Sequence, residues 1–460
     1  MSAHSQTLSD RIATYDLKGG NIGVSVTPLE EGIAIGHNEH QRFLPASSLK
    51  LATTASAFHF LGDFENSGWP KGTALVVETS GDMHERPDIR LIGTGDATLS
   101  AGPGCKQNCL STLADTLASS NHKDIGRIIV DDGLFRRPYR PDGWSHDDLK
   151  FAYGAAISAL TVNKGEAEAQ ISSTRGPAPQ IEYSWRYEPA FPVSFSDVTT
   201  RPGQQDLELD LQSGRSRARF SGNLPPGQRL LLRFGLDDPS IYAGQILRNL
   251  LSVRGVTVSG DIVRADDPGL DSSSDLPTEI ARYALPAPDP QVTLEAILHD
   301  SSNIDSEVLL QHVALSLADR TPESGLWLSE HILLEAGAEE TEVEIADGSG
   351  LSVYNRVSPD AMTKMLVWAS QQDWFDTWSS LIASNGQDGT LSRRFVSTFL
   401  PGIIKAKTGS VHDTDALAGY FTASSGRQYA FAIFINDTAL SHRQARTVID
   451  DLLLNLIASN

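Results

Sequence analysis

Residues 23 to 38, GVSVTPLEEGIAIGHN, alternate apolar and polar positions around a Glu-Glu-Gly turn, the period-two pattern of a β-hairpin. The period then changes. FLPASSLKLATTASAFHFLG (43–62) places Leu51, Ala55 and Phe58 at helical spacing and predicts a helix opening at Pro45. From about 70 to 285 the text becomes short apolar runs (TALVVET, GRIIVDD, RLLLRFGL, TVSGDIV) between Gly, Pro and Ser breaks, most β-rich around 165 to 235. Helical periodicity returns over 294–319 and again over 358–372, the latter opening on Ser-Pro-Asp. Two strands about a Ser-Ser-Gly-Arg turn follow over 415–437, and HRQARTVIDDLLLNLIAS closes the chain as a helix. No fixed-period repeat occurs.

This order predicts a loose α/β (α+β) class. A hairpin and helix at one end cannot bury their own faces, and the C-terminal half supplies the missing partners. The middle therefore reads as an insertion into a core with an antiparallel sheet flanked by helices, built from roughly 1–68 and 286–460. A chain of 460 residues is also longer than one core usually serves.

Composition narrows the function. The residues are 40% hydrophobic and 21% charged, as in ordinary folded proteins, and the net charge is -21. So acidic a chain argues against nucleic-acid partners, whose phosphates call for clustered Lys and Arg. The two cysteines, Cys105 and Cys109, lack further Cys or His at ligand spacing, so no zinc site is expected; a small-loop disulfide and two free thiols are both consistent with the spacing. No metal or other cofactor is called for. No apolar run is long enough to span a bilayer. MSAHSQTLSD has no positive segment followed by an apolar one, so the chain is either cytosolic or given without its signal peptide. The last helix offers an apolar face to the sheet, with peripheral contact to a bilayer as the alternative.

The candidate chemistry begins in the apolar helix. Ser47 and Lys50 stand at i and i+3, where two helical side chains meet. A serine hydroxyl needs a base to become a nucleophile, and a lysine is a base only when neutral, which takes a pKa roughly 3 units below its ordinary value. Burial beneath an apolar helix, with a second cation nearby, acts in that direction. Ser120 and Lys123 repeat the spacing, but at a polar helix end where the lysine is solvated. Next, Ser301-Ser302-Asn303 could pass a proton through Ser301 and orient an amide through Asn303; it would equally serve as a helix cap. Third, Lys407-Thr408-Gly409-Ser410 on a strand combines an ammonium and two hydroxyls suited to a carboxylate with a glycine that lets a substrate backbone approach.

The three motifs in this order, on helix, helix start and strand, are those of penicillin-binding proteins and serine β-lactamases. LPASSLK, DGSGLSVYNRVSP (347–359), GQDGTLSRR and KAKTGS, with GTGDATL, VDDGLFRRPYRPDGWSHDDL and YGAAISAL in the middle, resemble the class C low-molecular-mass penicillin-binding proteins, the D-alanyl-D-alanine carboxypeptidase/endopeptidase family. Val353 stands where that family commonly has an arginine.

The resemblance implies a serine DD-peptidase on a transpeptidase core with nested β-rich insertions, 69–163 with 235–285 as one domain and 164–234 inside it. It implies Ser47 as nucleophile, Lys50 as base, Ser301 as proton relay, Asn303 on the peptide amide and Lys407 as a positive field. Thr408 and Ser410 would hold the terminal carboxylate, with Gly409 between them, and an acidic residue after Trp144, Asp148 or its rival Asp147, would meet the substrate's side-chain amine. Implied partners are peptidoglycan stem peptides and β-lactams, in the periplasm or cell envelope. A β-lactamase on the same core is the nearest alternative; the 251-residue separation of Lys50 and Ser301 leaves room for domains that compact β-lactamases lack. A non-catalytic wall-binding scaffold would not need Ser47, Lys50 and Lys407 together.

Overall fold

The computed structural model describes residues 3–62, 64, 69–79, 86–136, 140–188, 192–211, 217–267, 277–317, 321–395 and 402–459. The chain divides into two compact units, one of 1–69, 141–144 and 289–460, the other of 70–140 and 145–288.

In the first unit the hairpin forms β1 (Asn21–Pro28) and β2 (Ile35–His37). The C-terminal strands are β3 (Ile404–Val411), β4 (Thr414–Thr422) and β5 (Gln428–Asn436). They join in one antiparallel sheet of order β3-β4-β5-β1-β2, so the two ends of the chain share it and β3 lies at its edge.

Side chains alternate between faces along each strand. Ala416, Ala418, Ala430, Ala432 and Phe434 pack with helices α2 (Lys50–Leu61), α4 (Asn303–Ala314), α5 (Pro322–Glu335) and α6 (Pro359–Ala369). Leu417, Phe421, Phe431, Ile433 and Ile435 face Leu8 and Ile12 of α1 (Ala3–Ile12) and Ile449, Leu453 and Leu456 of α7 (His442–Ser459). The last helix thus covers the sheet. Its apolar face is accounted for by that packing.

Three local expectations need revision. The helix expected from Pro45 starts with a 3-10 turn, Ala46–Leu49, before α2. The helix expected over 294–319 is broken: α3 (Pro290–Leu298) and α4 are separated at Ser301, whose φ of +61° no α-helix accommodates, and residues 318–319 lie outside the described ones. TVSGDIV is two short strands, Thr257–Val258 and Ile262–Arg264, on either side of Gly260.

In the second unit a mixed sheet runs in the order Ile262–Arg264, Ile128–Asp131, Asp88–Ile92, Ala74–Thr79, Thr278–Ala284. Helices Leu110–Ser119 and Pro239–Ser252 supply Leu113, Leu117, Ile246 and Leu247 to its core. Strands between 166 and 235 form two three-stranded sheets. Cys105 and Cys109 are joined in a disulfide. No helix among the described residues is long and apolar enough to cross a membrane.

Candidate active site

Helix α2 is buried from Lys50 to Phe58, so its polar groups must find partners inside the protein. Thr53 donates to Gly348 O at 2.6 Å, and Thr54 and Ser56 donate to carbonyls one turn back. Lys50 is fully buried. Its Nζ donates to Ser47 Oγ at 3.0 Å, to Asn303 Oδ1 at 2.8 Å and to the backbone oxygen of Ser349.

Burial pushes the ammonium of Lys50 down to about 8, with the carboxylates of Asp347 and Glu307 opposing the shift. Both carboxyls are completely buried. Burial raises Glu307 to about 8, and the charge of Asp347 adds to that rise. Lys50 is therefore still mostly protonated at neutral pH, but it holds a far larger neutral fraction than an ordinary lysine and can serve as the base that the Ser47–Lys50 spacing calls for.

Two residues in left-handed backbone conformation frame the pair. Ala46 has φ +47° and Ser301 φ +61°, a geometry costing an L-residue roughly 1–2 kcal/mol, and packing holds both in place. Ser302 caps α4 by accepting from Asp305 N, so the cap reading holds for this residue alone. Its neighbours face the lysines: Asn303 accepts from Lys50, and Ser301 Oγ accepts from Lys407 Nζ at 2.9 Å. Lys407 is also fully buried and donates to Thr408 O at 3.0 Å. Burial and the nearby charge of Lys50 push its pKa well down.

The edge strand completes the cleft. Ile404 N and O bond to Asn385, and Ala406 N donates to Ala383 O, so the backbone groups at these positions face away from β4. By the same alternation, those of Thr408 and Ser410 point out from the sheet edge. Gly409 faces the Ser47 turn so closely that a Cβ there would lie 2.9 Å from Pro45 O and 3.0 Å from Ser47 N. Gly350 (φ +80°) closes the other side, where a Cβ would lie 1.9 Å from Ala46 O. On the opposite face of β3, Thr408 Oγ1 donates to Thr390 Oγ1 at 3.0 Å and Ser410 Oγ to Asp415 Oδ1 at 2.6 Å.

The structure thus brings together Ser47, Lys50, Ser301, Asn303 and Lys407, with Thr408, Gly409 and Ser410 along one strand edge. Asp147 and Asp148 belong to the second unit. There Asp148 Oδ1 accepts from Tyr153 OH at 3.0 Å, while Asp147 is exposed with Lys150 Nζ at 3.7 Å. Lys123 of the duplicate motif is exposed and donates to Ala118 O at its helix end.

Sequence reasoning gave no role to Asp347, Glu307, Thr390 or the group around Asp415. Asp347 opens the DGSG run, and only the folded loop reveals how many donors converge on it. His40, Glu342 and Asp360 form a separate cluster of potential ligand atoms, in which Lys364 Nζ already sits 2.7 Å from Asp360 Oδ2.

Comparison with known proteins finds relatives along most of the chain. A family model described as the D-Ala-D-Ala carboxypeptidase 3 (S13) family matches residues 4–456. A D-alanyl-D-alanine carboxypeptidase of an Actinomadura species is 29% identical, over 91% of this chain and 78% of its own. Carboxypeptidase DacB of Mycolicibacterium smegmatis is 32% identical, over 89% and 74% respectively. Among solved structures, penicillin binding protein 4 (dacB) of Haemophilus influenzae superposes with a TM-score of 0.81 at 24% identity, covering 98% of both chains.

Proposed function

The chain belongs to the D-Ala-D-Ala carboxypeptidase 3 (S13) family and is a serine DD-peptidase, and from that premise we propose that it cleaves the D-Ala-D-Ala end of peptidoglycan stem peptides through an acyl-enzyme on Ser47. The observation that carries this reading is Lys50 Nζ, buried, pushed toward neutrality and 3.0 Å from Ser47 Oγ. Lys50 takes the hydroxyl proton as Oγ attacks the penultimate D-alanine carbonyl carbon. The negative charge that develops on the carbonyl oxygen is met by the backbone N–H groups of Ser47 and Ser410, a pairing that the close approach of Gly409 to the Ser47 turn supports.

As the peptide C–N bond breaks, Ser301 relays the proton that Lys50 took from Ser47 on to the departing amine, which frees Lys50 again, while Lys407, hydrogen-bonded to Ser301 Oγ, supplies a positive field. Asn303, whose Oδ1 accepts from Lys50, is the residue assigned to the peptide amide. Water then hydrolyses the Ser47 ester. A β-lactam forms the same ester, but its amine stays tethered in place of a leaving group. The periplasmic face of the cell envelope, where such peptides are exposed, is the proposed location.

The test is intact-protein mass after brief exposure to benzylpenicillin, with Ser47→Ala as the control, beside D-alanine release from diacetyl-Lys-D-Ala-D-Ala. One persistent adduct on the wild type, absent from the variant, together with D-alanine release, is the expected result. Rapid turnover of the penicillin would favour a β-lactamase instead; neither adduct nor turnover would overturn the reading.

The reading also assigns Asp148, with Asp147 beside it, to the side-chain ammonium of a diaminopimelate-type peptide. A carboxylate is the chemical complement of that group. Asp148→Ala should slow cleavage of substrates with a free side-chain amine about tenfold more than that of acylated ones, as paired kcat/KM values would register. Equal losses would remove Asp148 from the site.

A further inference from the structure

We propose that Arg446, anchored on Asp415, receives the terminal carboxylate of the substrate and makes the enzyme selective for peptides with a free C-terminal acid. The inference rests on the acyl-transfer reading above and adds a specificity-determining residue to it.

The starting point is where the hydroxyl protons go. Ser410 has one, and it is committed to Asp415 Oδ1 at 2.6 Å. Asp415 is almost completely buried and therefore needs that donor. A hydroxyl whose proton is held by one carboxylate has none to offer a second. The hydroxyl of Thr408, the other candidate on this face of β3, is directed to Thr390. As they stand, the two side chains that the sequence suggests for a carboxylate present oxygen lone pairs to it.

The donor that remains is a cation. Arg446 Nη2 donates to Ser410 Oγ at 3.1 Å, and its Nε lies 3.4 Å from Asp415 Oδ1. The guanidinium touches the buried carboxylate with one end, while about half of the Arg446 side chain is exposed. A guanidinium is charged at any working pH and offers five N–H groups in a planar fork, so contacts to Ser410 and Asp415 leave donors for an incoming carboxylate.

Lys407 does not compete for this task. It is fully buried, and its ammonium is directed to Ser301 Oγ and Thr408 O. His442, one turn before Arg446 on α7, holds the other oxygen of Asp415 through Nδ1 at 2.8 Å. Asp415 is thereby fixed from two sides and keeps Arg446 beside Ser410 before any substrate arrives. A substrate whose terminal carboxyl is amidated loses the charge that Arg446 recognises.

The experiment compares acylation rates by benzylpenicillin and by its methyl ester, which lacks the carboxylate, in the wild type, Arg446→Gln and Arg446→Lys. It is paired with cleavage of diacetyl-Lys-D-Ala-D-Ala against its C-terminal amide. The wild type should prefer the acid in both pairs. In Arg446→Gln the acid-over-neutral ratio should fall about 10- to 100-fold, mainly through KM for the peptide, and Arg446→Lys should restore part of it. Ratios that match the wild type in Arg446→Gln would overturn the inference while leaving the Ser47 chemistry standing. If the wild type forms no acyl-enzyme with either penicillin, the peptidase reading itself falls and takes this inference with it.

Discussion

Lys50→Met is expected to lose acylation by benzylpenicillin about a thousandfold or more, while remaining folded. The side chain is replaced by one of similar length with no charge, so the packing of α2 changes little. What disappears is the base 3.0 Å from Ser47 Oγ. The stability of this variant carries a second signature. In the wild type the lysine titrates at about 8 instead of its ordinary 10.5, because burial disfavours the ammonium.

Between those two values the unfolded chain holds a proton that the folded protein has released, so wild-type stability rises with pH across that window. The gain is about 3 kcal/mol for a shift of this size, and the variant lacks it. Glu307 acts in the same direction. The Lys50 charge lowers its pKa, so in the variant Glu307 keeps its proton to higher pH, and folded stability falls there as pH rises. Urea midpoints of the two proteins at pH 8 and pH 10.5 should therefore separate in favour of the wild type as pH rises. A constant difference would mean that Lys50 is not the depressed group, and undiminished acylation would remove it as the base.

This behaviour explains why part of the site was legible in the sequence and part was not. Ser47 and Lys50 are one helical turn apart, so their meeting follows from local geometry. Lys407-Thr408-Gly409-Ser410 is likewise local: strand alternation puts the lysine and glycine on the face toward Ser47 and the two hydroxyls on the other. The antiparallel sheet shared by the chain ends was readable because each end has apolar faces that it cannot cover alone.

The downward push of burial on Lys50 was readable from the apolar helix, but the carboxylates that oppose it, Glu307 and Asp347, were not: they lie more than 250 residues away and are ordinary in pattern. Glu307 sits among IDSEVLLQHVA, where every residue is buried, and no period distinguishes a carboxyl facing Lys50 from one facing solvent. The break between α3 and α4 was missed for a related reason. Apolar spacing continues through it, and only the tertiary contacts of Ser301 and Asn303 with the two lysines favour the left-handed turn.

Asp347 is the residue on which those contacts depend most, and Asp347→Ala should cost about 3–5 kcal/mol of stability as well as most of the acylation rate. One buried carboxylate accepts from Trp144 Nε1, Ser349 Oγ, Asn355 Nδ2 and the backbone N–H groups of Gly350, Leu351 and Ser352, at 2.7 to 3.0 Å. Removing it leaves buried donors without an acceptor, in a segment with little room to move. Gly350 is already against Ala46 O, and Ser349 O is the carbonyl that takes a bond from Lys50.

Asp347→Asn separates shape from charge. The amide fits the same space but turns one oxygen into a donor facing donors, so it should recover only part of the stability. Without the Asp347 charge, the pKa of Lys50 falls further, since that carboxylate is the largest influence holding it up. The acylation rate of Asp347→Asn should therefore reach its plateau at lower pH than the wild type, even where the plateau itself is reduced. Urea unfolding and a pH–rate profile on both variants give the two readings. An Ala variant as stable as the wild type, or an Asn variant whose profile rises at the same pH, would show that the loop is organised by other contacts and that Asp347 does not set the charge of the base.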